Sequence, residues 1–304
     1  MSSSLLEHMT SRELPAWAYR VILISCTLIW GGNFVVAKGA VTAVGATWVI
    51  GIRFFVAGLI MLVALLPHMR RHLTPELVKA GCLIGLFSFL GYGAQFLGLQ
   101  GTTPSKNAFL STCYCVITPF VWWLVAHRRP TGRNLLAAAI CVGGMALITL
   151  QGDLTVSWGD GVSMLSAVLY GIEIVAIAKL IRSYDVLTIT AVQMISSGVY
   201  AMALALALHQ PLDVSVATSP AFLAQMAYII ILGSCYASTA QNLAQTHVPP
   251  AQASLFFALE SVFGTVFSVL FYGEVLTLKM LAGFALIFAA ILISELKGGK
   301  DVQE

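Results

Sequence analysis

Apolar runs of about 20 residues, separated by short polar breaks, fill this chain almost from end to end. A helical run of that length matches the hydrocarbon thickness of a lipid bilayer. Backbone groups in lipid must bond within their own segment or close into a barrel, and these runs are too evenly apolar for alternating barrel strands. Composition agrees, because 59% of the 304 residues are hydrophobic and 10% are charged, against roughly 25% charged in soluble domains. The sequence therefore predicts an all-α integral membrane protein.

Charges, prolines and glycines at the edges of these runs divide the chain into ten predicted transmembrane helices. The predicted spans are residues 17–38, 45–66, 77–99, 105–127, 133–151, 158–180, 186–208, 220–243, 251–272 and 277–296. We expect residues 1–16 to form a cytoplasmic leader and residues 297–304 a cytoplasmic tail. Residues 17–151 and 158–296 would then form two five-helix domains.

The distribution of basic residues predicts the orientation, because cytoplasmic loops are enriched in Lys and Arg. With the N-terminus inside, twelve of the 16 Lys and Arg residues lie in inner segments and three lie in outer segments, while Arg53 lies within span 2. We therefore predict a multi-pass protein of the cell inner membrane with both termini in the cytoplasm. The net charge of +3 follows from this bias and indicates no nucleic-acid partner.

The chain also contains a weak internal repeat. Pairs 140 residues apart include Trp30 with Tyr170, Asn33 with Glu173, and Arg53 with Gln193. Pairs 146 residues apart include Gln95 with Gln241, and Tyr114 with Glu260. An odd number of spans in each half forces the second half into the opposite orientation. This predicts two inverted repeats, a plan found in many secondary transporters, whose binding site lies near the midplane where the halves meet.

The motifs in these segments resemble one known family. They are Trp30-Gly31-Gly32-Asn33-Phe34, Arg53-Phe54, Ala108-Phe109-Leu110 through Tyr114 to Pro119, Gln252-Ala253-Ser254-Leu255-Phe256, Leu259-Glu260-Ser261-Val262 and Gly273-Glu274. From about residue 20 to 296 the chain resembles the EamA-domain transporters of the drug/metabolite transporter (DMT) superfamily. The resemblance implies ten helices and transport of small metabolites, often export of amino acids or related compounds. One departure is Glu260-Ser261, where the family usually has Glu-Pro.

Three charged residues lie deep within predicted spans: Arg53, Glu173 and Glu260. Each costs about 3 kcal/mol at mid-membrane even on the insertion scale, so each needs a physical reason. They could bind substrate or couple transport to protons, or they could form structural ion pairs between helices. If one acid pairs with Arg53, the other is left to accept a proton or a cationic group of the substrate. We favour Glu173 as the unpaired acid, because its repeat partner is the neutral Asn33.

Neutral polar and aromatic residues at repeat-related positions should converge on one central cavity. The predicted substrate-binding residues are Trp30, Asn33, Gln95, Tyr114, Tyr170, Glu173 and Gln241. Structural roles are the alternative. The two glutamines could merely form hydrogen bonds between helices, and the aromatic residues Trp30 and Tyr170 could merely pack in the core.

The sequence contains no Walker-type nucleotide motif and no hydrolase or dinucleotide motif in a plausible setting, so we predict no enzyme activity, no cofactor and no metal site. The six cysteines lie in apolar segments without a C-x-x-C pair, which is typical of packing residues. We expect a secondary transporter working by alternating access, with lipid, a small-molecule substrate and possible protons as partners, either monomeric or homodimeric. The alternatives are a passive facilitator or channel and, third, a membrane enzyme acting on lipid.

Overall fold

The computed structural model describes residues 14–102, 104–127, 129–149, 157–272 and 275–295, and within these ranges the regular structure is entirely helical. The helices are α1 (Ala16–Val44), α2 (Ala46–His72), α3 (Pro75–Gln100), α4 (Pro104–Thr112), α5 (Tyr114–Ala126), α6 (Gly132–Thr149), α7 (Trp158–Leu180), α8 (Val186–Ala207), α9 (Val214–Ala217), α10 (Pro220–Ile230), α11 (Ala237–Gln245), α12 (Pro250–Phe257), α13 (Leu259–Tyr272) and α14 (Leu278–Glu295). A 3₁₀ turn at Ile181–Ser183 follows α7, and a π-helical segment at Ile231–Tyr236 joins α10 to α11.

Eight helical stretches in the described chain are long and apolar enough to cross a bilayer. Two shorter apolar helices, Gly132–Leu147 and Leu278–Ser294, coincide with predicted spans 5 and 10. The prediction of an all-helical membrane protein is confirmed. The ten-span count and the division into two inverted domains stay predictions.

Side-chain caps start several of these helices at the places where their apolar runs begin. Ser157 and Asp160 form a reciprocal capping box at the start of α7, and the Asp185 carboxylate accepts the Thr188 amide at the start of α8. Such caps satisfy backbone N–H groups that have no partner within the helix. Between α1 and α2 the chain turns on the single residue Gly45, whose φ of 87° favours glycine.

Predicted spans 4 and 9 differ from the sequence analysis, because each is two helices instead of one. The first breaks at Cys113 between α4 and α5, and the second breaks at Ala258 between α12 and α13. Hydroxyl groups beside each break bond back to helical carbonyls, from Thr112 to Ala108 at 2.6 Å and from Ser261 to Ala258 at 2.7 Å. Such bonds compete with the backbone ladder and bend helices. The second break therefore forms without the Glu-Pro of the family.

Large apolar side chains face outward and polar ones face inward, the reverse of a soluble protein. Val63, Leu124 and Leu270 are 76%, 73% and 69% exposed. Within the bundle, α2 packs against α8, α3 against α7, α1 against α13 and α6 against α14. These contacts bring α1, α3, α7 and the broken helices around one central space, which holds the candidate site.

Candidate functional site

A central cavity lies among α1, α3, α5, α7, α11, α12 and α13. It is lined by Trp30, Tyr92, Gln95, Tyr114, Tyr170, Glu173, Ile174, Gln241, Phe257 and Glu260. A second, smaller cavity shares Trp30, Tyr92, Gln95 and Glu260 with the first and adds Asn33, Phe34, Arg53 and Phe96. The structure thus brings all seven predicted binding residues to these two adjoining cavities, with Asn33 in the smaller one. Their role in binding stays a prediction.

Aromatic rings form the walls of the larger cavity and hold its polar groups in position. The Tyr170 hydroxyl donates to Gln95 Oε1 at 2.8 Å. The Tyr92 and Tyr114 rings meet the Tyr170 ring edge-on, at centroid distances of 5.2 and 6.0 Å, a geometry that aromatic pairs prefer. The cavity therefore offers flat apolar surfaces beside fixed hydrogen-bonding groups.

The Glu173 carboxylate, 4% exposed, is held by neutral hydrogen-bond donors. The Ser88 hydroxyl donates to Glu173 Oε1, and the Gln193 amide donates to the same oxygen at 3.5 Å and to Ser88 Oγ at 2.9 Å. The Asn242 amide in turn donates to Gln193 Oε1 at 2.8 Å. This network joins α3, α7, α8 and α11 and orients the carboxylate without a paired cation among the described residues.

The ion pair considered for Arg53 does not form. In the part of the chain that the structure describes, no acidic oxygen lies within the 4.0 Å of an ion pair from its guanidinium group. Instead, its Nε donates to Ser234 Oγ at 2.7 Å and its Nη2 donates to the Gly233 carbonyl at 3.0 Å. The guanidinium carbon also lies over the rings of Tyr92, Phe54 and Phe96, at 4.6, 4.8 and 5.9 Å from their centroids.

The π-helical segment Ile231–Tyr236 supplies the neutral partners of Arg53. A π-helical turn disrupts the regular backbone ladder, and such turns are frequent at functional sites. The Gly233 carbonyl within it accepts hydrogen bonds from both Arg53 and the Trp30 indole, the latter at 3.0 Å. Backbone carbonyl and hydroxyl groups therefore replace the expected carboxylate as partners of the buried arginine.

Two polar atoms in the smaller cavity lack hydrogen-bond partners among the described residues. They are the Asn33 Oδ1 acceptor and the Arg53 Nη1 donor, both buried. Buried polar atoms are nearly always satisfied, so each exception needs an explanation. Glu260 lines the same cavity and lies near both the Tyr114 hydroxyl and Arg53. A donor, an acceptor and a carboxylate thus surround one space that an external polar group can enter.

Sequence reasoning missed several residues of this site, and for two of them a signal was present. Gln193 is the repeat partner of Arg53, so its place in the Glu173 network follows the 140-residue shift. Tyr92 lies three residues before Gln95, on the same face of α3. Ser234 and Gly233 gave no such signal, because their roles depend on the π-helical turn.

Comparison with known families agrees with this architecture. The EamA-like transporter family matches residues 17–150 and again residues 157–296. The chain belongs to the EamA-like transporter family. Its family domain is therefore present twice, and the two matches together cover most of the chain.

Individual family members and one solved structure are also similar to the chain. An uncharacterized transporter of Archaeoglobus fulgidus is 26% identical over 89% of this chain and 83% of its own length. The uncharacterized inner membrane transporter YedA of Escherichia coli K12 is 23% identical over 90% of this chain and 89% of its own. A protein of known crystal structure matches with a TM-score of 0.74 at 16% identity, over 92% of this chain and 96% of that one, which establishes a shared fold.

Proposed function

We propose that this protein is a secondary active transporter that exports amino acids or related small metabolites by alternating access. The observation that carries the proposal is the convergence of polar and aromatic residues from both predicted domains on one central cavity. EamA-like family membership and transporter relatives support the general class. The amino-acid substrate, the direction and the mechanism are our proposal.

The unpaired groups in the cavities support a zwitterionic substrate. Arg53 Nη1 is a charged donor suited to a carboxylate, since guanidinium groups bind carboxylates strongly. Glu260 and Asn33 Oδ1, on the same cavity, are acceptors suited to an ammonium group. The rings of Trp30 and Tyr170 in the adjoining space would contact the side chain of the substrate.

We assign proton coupling to Glu173. Its carboxylate is held by neutral donors, so protonation would break no ion pair. The Ser88 hydroxyl can then accept from the protonated acid, since hydroxyls both donate and accept. Glu260, which lines the same cavity as Arg53, would serve the substrate instead.

The proposed mechanism needs two inverted five-helix domains and ten spans with both termini in the cytoplasm of an inner-membrane protein. Packing supports this plan, since α2 pairs with α8 and α6 with α14, and the members of each pair are repeat counterparts. A reporter protein that is active only in the cytoplasm should be active when it is fused to the C-terminus. A fusion active on the outer side would contradict both the orientation and the span count.

Reconstitution into proteoliposomes tests the function. Labelled amino acids and nucleobases should be tested with and without a pH gradient, and an amino acid should accumulate only with the gradient. Glu173→Gln should abolish accumulation, whereas Glu76→Gln, which changes an exposed acid in the first turn of α3, should leave it intact. Steady conductance without substrate exchange would favour the passive facilitator or channel, and no movement of any amino acid would refute the proposed substrate class.

A further inference from the structure

Away from the cavity, two histidines and one carboxylate meet at the end of α2. His68 and His72 lie one helical turn apart, with ring centroids 4.4 Å apart. Asp185, which caps α8, places its Oδ1 3.0 Å from His68 Nε2. One potential ligand atom from each of the three residues lies within 4.8 Å of the others. The cluster uses none of the residues that line the transport cavity.

The surroundings of these groups match those of metal ligands. Metal-binding histidines usually donate their other ring N–H to a carbonyl or carboxylate, and His72 Nδ1 lies 3.0 Å from the His68 carbonyl oxygen. Asp185 Oδ1 accepts from the Thr188 amide at 2.8 Å and from its hydroxyl at 2.6 Å. The ring and the carboxylate are therefore oriented by contacts of their own.

His68 provides the second, independent observation. The residue is only 8% exposed, and its buried Nε2 makes no hydrogen bond of acceptable geometry with any described residue. Its distance of 3.0 Å from Asp185 Oδ1 is that of an ion pair. A ring nitrogen and a carboxylate oxygen that meet at this distance are placed as two ligands of one ion would be.

We propose that His68, His72 and Asp185 form a binding site for a divalent transition-metal ion such as Zn²⁺. Two imidazoles and a carboxylate suit Zn²⁺, Co²⁺ and Ni²⁺. With metal–ligand distances of about 2.0–2.2 Å, tetrahedral ligands lie about 3.3–3.6 Å apart. The His68–Asp185 pair, at 3.0 Å, lies slightly inside this spacing, and a shift of the half-exposed His72 ring away from the His68 carbonyl would be needed to bring in the third ligand atom. A solvent molecule or a fourth ligand would complete the coordination.

Two basic residues lie between the histidines, and Arg71, three residues after His68, is on the side of α2 nearer to it. Arg70 and Arg71 are exposed, and Arg70, two residues after His68, projects from almost the opposite side of α2, at about 100° per residue. Asp185 offsets part of the charge of the ion. The sequence analysis predicted no metal site, and the third residue of this cluster, Asp185, lies 113 residues beyond His72.

The site joins two helices that belong to different predicted domains. α2 packs directly against α8, and the three ligands tie the end of α2 to the start of α8. A bound ion would stabilise the arrangement in which these two ends touch, since ligand binding favours the state that binds it better. Occupancy would then slow any transport step that separates them.

Titration of the purified full-length protein with Co²⁺, in detergent and without a polyhistidine tag, tests the site. The visible absorption of Co²⁺ reports inner-sphere nitrogen and oxygen ligands, and calorimetry with Zn²⁺ gives the affinity and stoichiometry. We expect one ion per chain. His72→Ala and Asp185→Asn should each lower affinity at least about tenfold, as loss of a ligand or its support does. Asp185→Asn keeps the side-chain oxygen that caps α8.

His209→Asn is the matched control, because His209 is exposed and its φ of 50° is tolerated by asparagine. It should leave binding unchanged. His68→Ala should abolish the cobalt spectrum, and thermal melting without metal checks that the variant is folded. The absence of a cobalt spectrum in the unaltered protein, or one that persists in both His68→Ala and His72→Ala, would overturn the proposal.

Discussion

The contact between α2 and α8 depends on the absence of a side chain at Gly198. A Cβ atom at this position would lie 2.4 Å from the Phe55 backbone nitrogen and 2.7 Å from its Cα. Ordinary van der Waals contact begins at 3.4 Å. Because backbone atoms cannot rotate away as side chains do, Gly198→Ala must push the two helices apart by about 1 Å. The same contact positions Arg53 on α2 for the cavity.

The magnitude follows from two opposing effects. Alanine is more favourable than glycine in a helix by about 1 kcal/mol, while overpacking costs about 1–3 kcal/mol. Gly198→Ala should therefore lower the free energy of unfolding by about 0–2 kcal/mol. Gly143→Ala makes the same chemical change where, among the described residues outside its own helical turn, no atom lies within 4 Å of the new Cβ, so it should raise this free energy by up to about 1 kcal/mol. The difference between the two variants, about 1–3 kcal/mol, isolates the steric effect.

Unfolding in mixed micelles with increasing SDS, followed by tryptophan fluorescence, measures both variants under the same conditions. Gly198→Ala should unfold at lower SDS than the wild type, and Gly143→Ala at equal or higher SDS. If Gly198→Ala is as stable as Gly143→Ala, the close approach of α2 and α8 is not as described.

Three further predictions concern single groups. Glu173→Gln should remove the dependence of transport on the pH gradient and Glu260→Gln should instead weaken substrate binding; gradient dependence lost only in Glu260→Gln would reverse the two roles. Ser234→Ala should leave Arg53 Nε without its acceptor and lower the free energy of unfolding by about 1–3 kcal/mol, measured by SDS titration. Hydrogen bonds from the first turn of α9 lower the pKa of Asp213, so NMR titration should find this pKa below the ordinary value. The cap stabilises the fold at pH values above the ordinary aspartate pKa. This stabilisation is lost as the pH falls through the lower pKa of the folded state.

Much of the fold follows from the sequence because membrane insertion depends on local composition. Apolar length predicted the helices, and the 140- and 146-residue shifts predicted which polar residues meet at the cavity. Gln95 and Tyr170, for example, come from different predicted domains and form a hydrogen bond. We expect repeat-related positions near a common axis to converge whatever their detailed packing, and the two inverted domains stay a prediction.

The features that the sequence analysis did not predict depend on contacts between distant helices. The breaks at Cys113 and Ala258 and the π-helical turn at Gly233 leave no apolar pattern of their own, because each involves a few backbone bonds within an otherwise helical run. The pairing of Arg53 could not be predicted for the same reason. The sequence analysis considered only carboxylates as partners of Arg53. The π-helical turn instead supplies a backbone carbonyl and a hydroxyl group.

The buried arginine shows how this arrangement serves the proposed transport function. A charge within the membrane costs about 3 kcal/mol on the insertion scale, while each hydrogen bond to a charged group contributes about 1.5–3 kcal/mol. The bonds to Gly233 and Ser234 therefore offset the cost of burial without a counter-ion. A carboxylate partner would have neutralised the charge and occupied the donors. Because neutral groups hold Arg53 instead, its charge and its Nη1 donor remain for a carboxylate that arrives with the substrate.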